Sequence, residues 1–221
     1  MFKKFIALSC RETHESRYFE PRDAISRDWY SYLEALFPEH GIFLLPNTPK
    51  RCRDHLMSLP LAGLILSGGN DLGESLERDQ TEYQALEVAV QLKIPVMGVC
   101  RGAQLIQKAM GGNLTELKSS ALHVATEHEV RLIHSPLPNQ NDVISKLRVN
   151  SFHSKGIALN DLALPLKPFA TIRDDYGETV EGFINRDLRV LGMMWHPERP
   201  SPNHDWNKAC FKTWFSESSR S

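Results

Sequence analysis

The sequence has 221 residues, 41% hydrophobic and 24% charged, with a formal net charge of -1. A chain of this size buries a sizeable core without staples and fits one α/β domain spanning residues 1–221. Lysines and arginines spread along a near-neutral chain exclude a field that would steer it to nucleic acid or to an anionic membrane. No stretch approaches the ~20 apolar residues of a membrane span.

The N-terminal tract MFKKFIALSC has a short apolar run with no small-residue cleavage site, so it reads as a buried strand from Phe5 to Cys10 rather than a secretory signal. Further apolar runs, GIFLL, AGLILS and IPVMGV, read as buried strands. Between them lie helical patterns. Ile25, Trp29, Leu33 and Leu36 fall on one helix face. Leu86 and Val90 share another, and a third helix begins after Cys100 and stops at Gly111-Gly112. This alternation predicts a mostly parallel sheet covered on both faces. The second half reads differently. EVRLI, TIRDD, VEGFIN and RVLGMMW are shorter strands, HSPLPNQND is a loop, and a last helix from about Asp205 carries Trp206, Cys210 and Trp214 on one face, ending in a frayed tail SESSRS.

The four cysteines, Cys10, Cys52, Cys100 and Cys210, stand far apart with no CxxC pair. That argues against a structural zinc site, and a chain of this size does not need disulfides, which fits a cytoplasmic setting. Cys100 has a distinctive context. In Gly98-Val99-Cys100-Arg101-Gly102 it sits between two glycines where a buried strand gives way to a helix. This is the elbow that presents a nucleophile on a turn too sharp for flanking β-carbons. A helix N-terminus beneath the sulfur favours thiolate. The tract Trp195-His196-Pro197-Glu198 supplies a base and an orienting acid, because in an extended chain His196 and Glu198 project to the same side. Acyl transfer also needs oxyanion donors, and Ser67-Gly68-Gly69-Asn70-Asp71 at a strand end offers the Gly69 N–H beside the Arg101 N–H.

These three tracts, in this order, resemble the class I glutamine amidotransferase superfamily, and the resemblance spans roughly Phe5 to Trp214. It implies a flavodoxin-like three-layer sandwich with a mostly parallel central sheet and a small antiparallel addition. It also implies a γ-glutamyl thioester on Cys100 and no cofactor. By position it suggests that Gln104 and the loop Asn150-Ser151-Phe152-His153 bind the glutamyl group; for His153 a packing role weighs equally. Asn70-Asp71 after the glycine pair, and Arg101 after the cysteine, look like the γ-glutamyl hydrolase branch rather than the synthetase-linked glutaminases. SGGND and VNSFH resemble members acting on γ-glutamyl-CDP-amidate in capsule biosynthesis. Gly73-Glu74-Ser75 replaces the proline-containing stretch of members acting on γ-glutamyl-γ-aminobutyrate.

The expectation is therefore a Cys100–His196–Glu198 hydrolase of a small γ-glutamyl conjugate, with Arg11 and Arg78 as contacts to an anionic leaving group. The alternative is a glutaminase subunit feeding a synthetase in trans, and the sequence leaves room for a homodimer. The Arg101 side chain either supports the thiolate or pairs with a structural acid. His123, His128 and His134, spaced five and six apart, match no compact ligand pattern that a carboxylate or cysteine completes, so no metal is expected.

Overall fold

The structure, a computed structural model, describes residues 2–118, 123–136 and 145–216. The chain runs through β1 (Lys4–Ser9), β2 (Arg11–His14), β3 (Pro21–Ala24), α1 (Arg27–Leu36), β4 (His40–Leu45), α2 (Pro49–Met57) and β5 (Leu61–Leu66). It continues with α3 (Leu76–Gln91), β6 (Val96–Val99), α4 (Arg101–Ala109), β7 (Thr115–Glu116), β8 (Val124–Leu132), β9 (Lys146–Phe152) and β10 (Lys155–Gly156). It ends with β11 (Lys167–Asp174), β12 (Gly177–Asn185), β13 (Val190–Met193) and a last helix, α5 (His204–Ser216).

One sheet carries nine of these strands in the order β4-β1-β5-β6-β13-β12-β11-β8-β9. The pairings from β4 to β13 are parallel and those from β13 to β9 are antiparallel. The expected mostly parallel sheet between helical layers is present, and the antiparallel strands extend it in plane. Two short antiparallel pairs, β2–β3 and β7–β10, stand apart.

The pleat explains the layers. Successive side chains on a strand point to opposite faces. Ile6 and Leu8 enter one core with Ile65, Met97 and Val99, covered by Trp29 and Leu33 of α1 and by Trp206, Phe211 and Trp214 of α5. Ala7, Leu64, Leu66 and Val96 enter the other, covered by α2, α3 and α4 through Leu56, Leu86 and Ile106. Trp214 also donates its indole N–H to the Val96 carbonyl at 3.0 Å, tying α5 to the central strand.

Boundaries shift in instructive ways. β1 stops at Ser9, and Cys10 is buried just beyond it. The first helix begins at Arg27 because Ser26 caps it, accepting from the Asp28 N–H, and this leaves Ile25 outside. The strand read as EVRLI belongs to the longer β8, whose first residues are largely exposed and so lack an apolar signature. The loop expected over HSPLPNQND falls outside the described residues from position 137 on, as does the tail after Ser216. Among the described residues no helix is long and apolar enough to cross a membrane.

Candidate active site

β6 ends at Val99, and Cys100 takes φ 52 and ψ -108, a left-handed backbone in which a side chain is strained. The glycines around it are required by contact. A β-carbon on Gly102 would stand 2.0 Å from the Leu66 carbonyl oxygen, and one on Gly98 would meet the Gly102 carbonyl at 2.7 Å. The elbow is thus pressed against the end of β5.

β13 lies parallel beside β6 with Met193 opposite Val99, and the Cys100 N–H donates to the Met193 carbonyl at 2.7 Å. Both strands leave the sheet at the same end, which carries His196 to the thiol. The imidazole lies beside Cys100 at the floor of the same cleft, and its Nδ1 lies 2.7 Å from Glu198 Oε1. The His-Pro-Glu tract is not extended as expected: it turns at Pro197 and Glu198, with the Arg199 N–H donating to the His196 carbonyl at 3.3 Å, and the turn brings the two side chains together. Asn150 on β9 holds the histidine from behind: its Oδ1 accepts from the His196 N–H at 2.8 Å, and its Nδ2 donates to the His196 carbonyl at 2.9 Å.

The electrostatics follow from this geometry. Burial opposes both charges. Hydrogen bonding to Cys100 and Glu198 outweighs burial at His196 and raises it to about 9. At Cys100 the His196 hydrogen bond and charge, with the charge of His153 and the Arg101 N–H, outweigh burial and lower the thiol. The other thiols go the opposite way: burial pushes Cys10 and Cys52 up to about 11 and Cys210 well above its usual value. The Cys100–His196 pair therefore favours thiolate and imidazolium.

The glycine loop closes over this pair. Gly68 packs on the His196 ring, where a β-carbon would lie 2.6 Å from Cε1, and Gly69 has φ +97. Arg78 governs the loop from below. Its Nη2 donates to the Ser67 carbonyl at 2.9 Å and the Gly68 carbonyl at 3.1 Å, and its Nη1 to Asn70 Oδ1 at 3.1 Å. In a trans peptide the N–H points opposite to the preceding C=O. Holding the Gly68 carbonyl toward Arg78 turns the Gly69 N–H away from it.

A cleft of about 430 Å³ opens over Cys100, lined among others by Arg11, Thr13, Gly69, Phe152 and Arg199. That is the size of a small-molecule site. Arg11 lies along Gly69 with no hydrogen bond or ion pair among the described residues. The Phe152 ring meets His196 edge to face at 5.7 Å, and the Arg199 guanidinium lies 4.3 Å from the Phe152 centroid.

Two expected contacts change place. Arg78 is fully buried and bound to Glu82 and the glycine loop, so it cannot reach a leaving group. Arg199, adjacent in sequence to Glu198, lines the cleft instead. The Arg101 side chain pairs with Asp79 and Glu82, the structural-acid alternative. Gln104 is buried and donates to the Lys155 carbonyl at 2.9 Å, bracing β10, and Ser151 donates to the His123 carbonyl at 2.7 Å, tying β9 to the residue before β8. His153, in the loop between β9 and β10, is buried with its Nε2 3.5 Å from Glu181 Oε2.

The pattern of the family described as Peptidase C26 matches residues 29–198, which include the elbow, the glycine loop and the His-Pro-Glu tract. The chain belongs to the Peptidase C26 family. Among its relatives, the gamma-glutamyl-CDP-amidate hydrolase of Campylobacter jejuni is 30% identical over 219 residues, covering 96% of this chain and 98% of that one. The gamma-glutamyl-gamma-aminobutyrate hydrolase of Escherichia coli O157:H7 is 26% identical over 202 residues, covering 82% and 73%. A glutamine amidotransferase from Thermotoga maritima superposes with a TM-score of 0.67 at 16% identity, over 99% of this chain and 100% of that one, which establishes the shared fold. This C26 chain thus carries the class I amidotransferase-like architecture that its motifs implied.

Proposed function

We propose that this protein is an amide hydrolase that cleaves γ-glutamyl conjugates with an anionic leaving group, such as γ-glutamyl-CDP-amidate. The reading rests on one arrangement: Cys100 beside His196, itself hydrogen-bonded to Glu198, at the floor of a cleft whose wall carries the cationic side chains of Arg11 and Arg199.

The Cys100 thiolate attacks the γ-carbonyl carbon, the C–S bond forms, and the carbonyl electron pair moves to oxygen. The Gly69 and Arg101 N–H groups stabilise that oxyanion. Collapse breaks the C–N bond, and the His196 imidazolium gives its proton to the departing nitrogen. A γ-glutamyl thioester remains. Water then attacks it while His196 takes the water's proton, the C–S bond breaks, and glutamate leaves with the thiolate–imidazolium pair restored. Glu198 orients the imidazole throughout. Phe152 shapes the cleft wall against that ring.

Arginine at the cleft is what separates a conjugate hydrolase from a glutaminase, since ammonia as leaving group gives a guanidinium nothing to hold. Two of the relatives are named as γ-glutamyl hydrolases, which supports this reading. The test is kcat/KM for glutamine beside γ-glutamyl-γ-aminobutyrate and a γ-glutamyl phosphoramidate nucleotide. The anionic conjugates should lead glutamine by at least ~100-fold, the effect of one or two charge-assisted contacts. Glutamine as the best substrate, or activity only with an added synthetase, would instead establish a glutaminase subunit.

A further inference from the structure

Behind the active-site loop lies a second cluster of polar side chains. His123 precedes β8, His128 lies within it, His153 follows β9, and Glu181 sits in β12. All are buried, with His123 fully so and Glu181 1% exposed. His123 Nδ1 lies 3.7 Å from Glu181 Oε1, while His128 Nε2 and His153 Nε2 each lie 3.5 Å from Glu181 Oε2. One donor atom each from His123, His128 and Glu181 falls within 4.8 Å of the others. The histidine spacing alone suggested no metal site; the fold brings Glu181 from a distant strand to His123 and His128, and leaves His134 out.

The geometry points to a divalent transition-metal site, best suited to zinc, held by His123, His128 and Glu181, with His153 beside the same carboxylate. One donor atom from each of the three lies within 4.8 Å of the others, a span that small side-chain shifts would narrow to the ~3.4 Å edge of a tetrahedron with ~2.1 Å metal–ligand bonds. Two imidazoles and a carboxylate are a donor set that zinc accepts, with water in the fourth position. Among the described residues neither ring nitrogen of His123 has a hydrogen bond, its Nδ1 standing 3.7 Å from Glu181 Oε1. A buried imidazole without a hydrogen bond is costly, and a bound ion would relieve it. The charged side chains acting on His123 from neighbouring strands are Glu181 and Asp174, both anionic, beside the two other histidines, so nothing cationic by nature opposes the ion. A metal here would fasten β8, which pairs with β9, to β12, in the part of the sheet that carries Asn150 and Phe152.

The experiment uses the full chain as Cys100→Ala, which removes the catalytic thiolate as a competing ligand. Zinc content after dialysis, the visible spectrum with Co(II), and Tm with and without zinc are measured. We expect one zinc per chain, a tetrahedral Co(II) spectrum without thiolate charge transfer, and a Tm rise of roughly 5–10 °C at a hundredfold excess of free zinc over Kd. The near-isosteric Glu181→Gln, and separately His123→Ala, should each lose the metal and the Tm rise in that background. Zinc that binds wild type but not Cys100→Ala would place it on the catalytic pair and overturn the proposal. So would the absence of binding, which would make the cluster a proton-sharing network, or binding unchanged by Glu181→Gln.

Discussion

Asn150 grips both backbone polar groups of His196, accepting from its N–H at 2.8 Å and donating to its carbonyl at 2.9 Å. A residue expected to touch substrate therefore fixes the base, and it does so from the antiparallel half of the sheet. Asn150→Ala should lower kcat about 100-fold, as a displacement of ~1 Å can, with KM little changed. It should also move the alkaline limb of the pH–rate profile, because a displaced imidazole bonds Cys100 and Glu198 less well. A variant with raised KM and intact kcat would return Asn150 to a direct substrate contact.

The Cys100–His196 pair predicts a bell-shaped kcat/KM. The active form has a thiolate and an imidazolium. Cys100 is lowered from 9.0 and His196 is raised from 6.5 to about 9, so activity rises as the thiol deprotonates and falls through about pH 9 as His196 loses its proton. The stability sign is the same for the histidine. Its contribution is fully present below its unfolded value of 6.5 and is lost as pH rises through about 9. Iodoacetamide should label Cys100 before Cys10, Cys52 or Cys210, whose buried thiols are all raised. Mass spectrometry of the modified peptides checks this order.

Arg78, Arg11 and Arg199 should separate cleanly. Arg78→Lys keeps a charge but not the fork that holds two carbonyls of the glycine loop. Misaligning one oxyanion donor should reduce kcat by about 100-fold for every substrate alike. Arg11→Ala and Arg199→Ala should instead harm anionic conjugates more than glutamine, narrowing the gap between them. The ratios of kcat/KM for the two substrate types decide the point; an Arg78→Lys enzyme selectively poor on conjugates would contradict the buried position of that side chain.

Gly102→Ala should destabilise the protein by about 3 kcal/mol or more, since the new β-carbon would sit 2.0 Å from the Leu66 carbonyl oxygen, rigid strand backbone with no room to yield. Gly73→Ala should cost only about 1 kcal/mol, because its φ of +94 is unfavourable for alanine but nothing lies within 4 Å. Urea unfolding of the two variants measures the contrast.

The sequence by itself determined the elements whose signals are local. Buried strands such as AGLILS announce themselves by apolar runs, and the elbow by the two glycines that flank its cysteine. The pairing of His196 with Glu198 is also local, made by a turn at Pro197 rather than by an extended chain. Tertiary structure decided whatever depends on residues far apart in sequence. Arg78 looked like a free cation near a strand end, yet packing of α3 under the glycine loop buries it against carbonyls eleven and ten residues away. Asn150 reaches His196 across 46 positions although three strands separate β9 from β13 in the sheet. Glu181 meets His123, His128 and His153 only because β12, β8 and β9 lie in one antiparallel array. Spacing along the chain carries no record of such encounters, since sheet pairing brings side chains together by register and strand order.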